Sequence, residues 1–69
     1  VANLKLEGEF ITLAQALKVA ALAASGGEAK HLVRSGGVQV NGSVELQPGR
    51  KLRAGDRFAV EAGEEWVVG

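Results

Sequence analysis

SGGEAKHLVRSGGVQVNG, residues 25–42, contains a helix with both of its ends and the turn of a hairpin. Ser25 stands three residues before Glu28, the form of a capping box in which the hydroxyl accepts the N3 amide and the carboxylate reaches back. Ala29, Leu32 and Val33 follow at helical spacing, and Gly36 supplies the left-handed residue that ends a helix. The reading is a helix over roughly residues 26–35. Ala29, Leu32 and Val33 form its buried face, and Lys30, His31 and Arg34 its outer face. Val38-Gln-Val40 then alternates, and Asn41-Gly42 is the strongest short hairpin signal, since both turn residues must take positive φ.

Working toward the N-terminus, Thr12-Leu-Ala-Gln15 is a second capping box, and an Ala- and Leu-rich run follows it. Phe10, Leu13, Leu17, Ala20 or Ala21, and Ala24 recur at spacings of three and four, which predicts a core-facing helix of about three turns. Residues 3–7 alternate as a short strand until Gly8 breaks the pattern. On the C-terminal side, Val44-Glu-Leu46 reads as the returning hairpin strand, and Pro48-Gly49 as a type II turn. Ala54-Gly-Asp56 is a further turn. Phe58-Ala-Val60 and Trp66-Val-Val68 read as closing strands joined through Ala62-Gly63-Glu64. Several strands on two helices make an α+β fold, and 69 residues suffice for one domain over residues 1–69.

Composition narrows the chemistry. The chain has no Cys, and His31 is its only His, so neither a disulfide staple nor a structural zinc site is expected. No apolar run approaches the roughly 20 residues that span a bilayer, and no signal-peptide pattern is present. The expectation is a soluble cytoplasmic domain that uses no cofactor. Formal net charge is zero, but unevenly spread. Residues 1–17 (Lys5, Glu7, Glu9) carry a net −1, and residues 58–69 (Glu61, Glu64, Glu65) a net −3. Between them, Lys18, Lys30, Arg34, Arg50, Lys51, Arg53 and Arg57 stand against Glu28, Glu45 and Asp56, a net +4. Phosphate binding follows the local field, so the basic middle is the informative quantity.

Ala29, Leu32, Val33, Gly36, Val38, Val40, Asn41, Gly42, Gly55 and Asp56 stand in the order and spacing of the S4 RNA-binding domain, which the chain resembles over residues 25–56. Gly26-Gly-Glu-Ala-Lys30, with Lys51-Leu-Arg53 and Gly55-Asp56, is similar to the short stand-alone bacterial proteins of that family, which have no appended catalytic domain. The resemblance implies an S4-type fold (the αL motif), with two packed helices against a small, mainly antiparallel sheet. It also implies a monomeric module that binds structured RNA, ribosomal RNA or tRNA, with ribosomal or ribosome-associated proteins as further partners. One position departs from the pattern. Many S4 domains follow the capping Ser with Arg, whereas here Ser25 is followed by Gly26, so a contact assigned to that Arg does not carry over.

Candidate RNA-binding residues are Lys30, His31, Arg34, Asn41, Arg50, Lys51, Arg53 and Arg57. Lys30 and Arg34 share a helix face, where like charges four apart cost about 0.2–0.5 kcal/mol unless an anion neutralises them. Arg can fork onto two phosphate oxygens. The plain alternative is a solvated helix face. His31 adjoins them and is more ordinarily just exposed. Arg50, Lys51, Arg53 and Arg57 lie in loop-rich sequence, where binding residues are common; otherwise they balance the acidic C-terminal end. Turn chemistry alone accounts for Asn41, so its RNA contact is only an implication of the resemblance. Phe10 and Phe58 read as core and Trp66 as a cover for the open end of the core, leaving no row of rings for base stacking. One His without an obvious Asp or Ser partner makes no triad, and no Walker-type loop is present, so no catalytic residue is expected. The runner-up is a protein-docking module using the Val67-Val68 end or the acidic tail. A β-grasp sulfur carrier, sharing the Leu-x-x-Gly-Asp turn, ranks last: those chains end in Gly-Gly and place their hairpin before the helix, whereas this chain ends Val68-Gly69 and places two helices first.

Overall fold

A computed structural model of the chain describes residues 1–61 and 63–69. The elements run β1 (Ala2–Leu4), β2 (Ile11–Thr12), α1 (Leu13–Val19), α2 (Gly26–Arg34), β3 (Val38–Val40), β4 (Ser43–Val44), β5 (Lys51–Leu52), β6 (Arg57–Val60) and β7 (Glu65–Val68). Ala62, part of the loop expected between the last two strands, lies outside the described residues.

Alternation builds the main sheet. Val38 and Val40 are buried on either side of exposed Gln39, and Phe58 is buried beside exposed Arg57. Asn41 (φ 52°) and Gly42 (φ 86°) turn β3 into β4 as their residue types require. The five strands lie in the order β1-β7-β6-β3-β4. β1 runs parallel to β7, with Ala2 opposite Trp66, and the other neighbours are antiparallel. Leu13, Ala16 and Leu17 of α1 and Ala29 and Val33 of α2 meet this sheet's Val38, Val40, Phe58 and Val68 in one apolar core. Fully burying each larger side chain contributes about 1.5–3 kcal/mol. Leu32 sits at the edge of that core, half-buried. Trp66 is half-buried and stacks on Phe58 with ring centroids 6.2 Å apart.

α1 is shorter than its sequence pattern. It ends at Val19, with Ala20 as C-cap and Ala21 at φ 60°. The Leu22 N–H donates to Leu17 O (2.9 Å) and the Ala21 N–H to Lys18 O (3.0 Å), a Schellman ending built on alanine instead of glycine. Nothing in Ala-Ala-Leu-Ala-Ala stops a helix locally. The stop comes from tertiary demand, because Leu22 and Ala23 must turn back against the core so that α2 can begin at Gly26. Ala24 is consequently exposed instead of completing an apolar stripe.

α2 matches its reading more closely. Ser25 Oγ accepts the Glu28 N–H at 3.2 Å, but no return bond from the Glu28 side chain is present, so the cap is one-sided. The Gly36 N–H donates to Val33 O and the Gly37 N–H to Leu32 O, with Gly36 at φ 85°, giving a second Schellman ending.

Two other expectations change. The Gln47–Arg50 turn is hydrogen-bonded, but Gly49 does not take positive φ, which excludes a type II turn there. The returning hairpin strand stops at Val44, leaving Leu46 exposed.

Candidate functional site

The chain positions its basic residues through backbone bonds more than through side-chain packing. β2 and β5 form a separate two-stranded ladder that sets Ile11 opposite Leu52 and Thr12 opposite Lys51. Just beyond it, the Leu13 N–H donates to Arg50 O (2.8 Å) and the Ala14 N–H to Pro48 O (3.0 Å). The Gln15 N–H donates to Thr12 Oγ1 at 3.3 Å, while Gln15 Oε1 accepts the Thr12 N–H at 3.2 Å. The first-turn amides of α1 are thus satisfied by the chain itself, and the loop over residues 48–52 is tied to that helix end.

This tie brings Lys51 and Arg53 to Phe10. The Lys51 Nζ lies 4.8 Å and the Arg53 Cζ 5.9 Å from the centroid of the Phe10 ring. Such cation–π contacts contribute about 0.5–1 kcal/mol at exposed sites. Phe10 was expected in the core; it is instead 40% exposed, because it belongs to the approach to β2 and not to the buried face of α1. Lys51 and Arg53 alternate with buried Leu52, so both point away from the core.

A second turn is clamped from the other side. The Arg53 N–H donates to Asp56 Oδ2 (2.8 Å), and Asn41 Nδ2 donates to Asp56 Oδ1 (3.2 Å). The Arg57 N–H donates to Asn41 Oδ1 (3.0 Å), and the Asn41 N–H to Arg57 O (2.8 Å). The β3–β4 hairpin and the Arg53–Asp56 turn are therefore joined through two side chains. Gly55, at φ 93°, lets that turn close, with the Asp56 N–H donating to Arg53 O at 3.0 Å. The Arg53 amide on its carboxylate holds Asp56 below the usual carboxylate range. Partial desolvation opposes that shift, while the Asn41 amide and the Arg50 and Arg53 charges reinforce it.

The eight candidate residues separate by environment. Lys30, His31 and Arg34 are exposed on α2, with Lys30 and Arg34 one helical turn apart. Among the described residues, no carboxylate lies within 4.0 Å of the charged groups of Lys30, Arg34, Lys51 or Arg53. Arg50 instead pairs with Glu45 at 2.8 Å, and Arg57 with Glu65 at 3.0 Å. Glu45 is the least exposed partner and also accepts the Gln47 N–H, so the Arg50 pair is the better anchored. Asn41 spends its side-chain oxygen and one amide N–H on the clamp. Phe10, absent from the eight candidates, joins this cluster; it stands two residues before the capping Thr12, outside the helix to which its spacing assigns it.

A groove of about 320 Å³ opens beside this cluster, lined by Glu7, Phe10, Ile11, Gln15, Lys18 and Val19. Among the described residues there is no cluster of three or more acidic, His or Cys side chains able to hold a metal ion. No helix among them is long and apolar enough to cross a membrane. The family model described as the S4 domain matches residues 4–68. No curated protein matches the chain.

Proposed function

The chain belongs to the S4 domain family, and from that premise we propose that it is a single, monomeric, non-catalytic module over residues 1–69 that binds structured RNA by its phosphates and shape. S4 domains are RNA-binding modules, generally without enzymatic activity, and this chain has their α+β fold. The finer reading names ribosomal RNA or tRNA in the cytoplasm as the target, in company with ribosomal or ribosome-associated proteins.

The observation that carries the reading is the contrast among the cations. Among the described residues, Lys30, Arg34, Lys51 and Arg53 are exposed and form no ion pair within 4.0 Å, although the Asp56 carboxylate feels the Arg53 charge, while Arg50 and Arg57 are paired. A cation without an ion pair keeps more of its attraction for phosphate than one that must first release a carboxylate partner. The Glu45 and Glu65 pairs are exposed enough on the arginine side to exchange, so Arg50 and Arg57 are secondary contacts in this reading. His31, exposed on the same helix, adds a ring N–H donor for phosphate. Asn41 acts chiefly by holding the hairpin and the Arg53 turn in register, which leaves one amide N–H of its side chain to donate to RNA.

The test is a salt titration of binding to ribosomal RNA fragments by the parent, Arg34→Ala and Lys51→Ala. Each phosphate contact releases counterions, so log K should fall linearly with log salt, by about 0.7–0.9 per contact. Each variant should bind structured RNAs uniformly more weakly and flatten that slope by roughly one unit. If both variants bind like the parent across the salt range, the proposed face is wrong. Weak parent binding without a salt slope would instead favour a protein-docking module, a reading to which exposed Val44 and Leu46 lend an apolar surface.

A further inference from the structure

We infer that the groove beside Phe10 is a subsite for one unpaired nucleobase, so that this chain recognises the place where an RNA helix gives way to a single strand. This rests on the RNA-binding reading and adds to it a base-contacting element that phosphate and shape contacts do not supply.

Three observations carry the inference. The first is the ring itself. Phe10 is 40% exposed and borders the groove, and apolar Ile11 and Val19 add two walls, Val19 being 63% exposed. An exposed aromatic in a concave apolar setting matches the flat face of a base. The second is charge. Lys51 and Arg53 lie over the Phe10 ring at 4.8 and 5.9 Å from its centroid, so a base that stacks on that face must displace them onto its own phosphates, and Lys18 lines the groove. A base entering here brings its own phosphates among those cations, which makes the site complementary to a nucleotide and less so to an uncharged apolar peptide. The third is hydrogen-bonding capacity. Gln15 uses its Oε1 on the Thr12 N–H, which leaves its Nε2 as a donor; Glu7 contributes a carboxylate acceptor. A donor and an acceptor along one groove suit a base edge carrying an amino group, and a carboxylate can accept from such a group. The groove's volume, about 320 Å³, is at the small end of ligand sites and sufficient for a base.

The site also has a fixed frame. The β2–β5 ladder and the Leu13 and Ala14 amide bonds hold Phe10, Lys51 and the start of α1 together, so little ordering is left for binding to impose.

The experiment compares two RNA probes, a hairpin with a single-stranded 3′ adenosine tail and the same hairpin with a blunt end. The tail carries 2-aminopurine at its first unpaired position. The parent should prefer the tailed hairpin and quench the 2-aminopurine as it stacks. Phe10→Leu, which keeps an apolar side chain but no aromatic face, should weaken tailed binding by about 5- to 100-fold, as expected for one stacked base. Blunt binding, which depends on Phe10 only through the cations it contacts, should weaken much less, so the preference for the tail is lost, and Phe10→Trp should retain it. Thermal melts followed by Trp66 fluorescence verify that Phe10→Leu is folded. If the parent binds both hairpins equally and Phe10→Leu changes neither, the subsite is refuted and phosphate-based RNA binding stands; the groove is then free for a protein partner. If the parent binds neither hairpin at low salt, the subsite and the RNA-binding reading fall together.

Discussion

Replacing Ala21 by glycine should make the protein more stable, although glycine is the poorer helix former. Ala21 sits at φ 60° as the left-handed residue of the Schellman ending of α1. A residue with a Cβ in that conformation costs roughly 1–2 kcal/mol, which glycine avoids. Glycine gives back about 0.4–1 kcal/mol through the greater freedom of its unfolded chain. The Ala21 side chain is exposed, so no burial is lost. The balance is a gain of about 0.5–1 kcal/mol, or roughly 2–8 °C in Tm for a domain of this size. Ala20, one position earlier, takes helical dihedrals (φ −75°, ψ −1°) and is partly buried. Ala20→Gly should therefore destabilise, by about 0.5–1 kcal/mol or slightly more. Thermal and urea melts of the two variants beside the parent read the sign directly. If both destabilise to a similar extent, helix α1 continues through Ala21, as the sequence pattern alone suggests, and the argument for a tertiary stop fails.

Ser25→Ala should cost roughly 1 kcal/mol in a urea melt, since the Glu28 amide loses its acceptor at a tight corner; an unchanged midpoint would show that Ser25 does not cap α2. Asp56 has a lowered pKa in the folded chain, so its contribution to stability is present above the unfolded carboxylate range and is lost as pH falls through the folded value. Melting temperature against pH should accordingly drop in acid for the parent and drop less for Asp56→Ala, which starts lower at neutral pH; parallel curves would contradict the clamp. Gly26→Arg restores the residue type that many S4 domains carry after the capping serine, and a Cβ built at Gly26 meets nothing within 4 Å. It should tighten RNA binding and steepen the salt slope by about one unit in the titration proposed for Arg34 and Lys51.

What could be read in the sequence was what local chemistry dictates. Ser25, Gly36 and the Asn41-Gly42 pair each need a particular backbone geometry from their own residue type, so α2 and the β3–β4 turn lie close to their sequence readings. The exposed face of Lys30 and Arg34 follows from spacing alone. The end of α1 was not legible, because the left-handed residue there is an alanine with no signature of that conformation. The β2–β5 ladder was hidden for a different reason: two-residue strands show no periodicity, and their partners are far apart in the chain. That ladder moves Phe10 out of the core and puts Lys51 and Arg53 against it, so the aromatic part of the candidate site was hidden with it. Pairing of Arg50 with Glu45 and of Arg57 with Glu65 is likewise a product of folding, which is why a count of charges gave all four C-terminal cations equal standing.

The position of β7 between β1 and β6 has a kinetic consequence. Both helices, the β3–β4 hairpin and β6 draw their contacts from nearby sequence or from a single long hop, and the closing entropy of such loops is modest. Among the described residues β1 pairs with β7 alone, so the first strand of this sheet waits for its last, and until then the outer edge of β6 is bare as well. On a growing chain, helices and hairpin can form early while one side of the sheet remains an open edge, the feature that invites pairing with other chains. Completion of β7 should then close that edge and set the first strand in a single late step, which places the rate-limiting contact order of this small fold in its parallel pair.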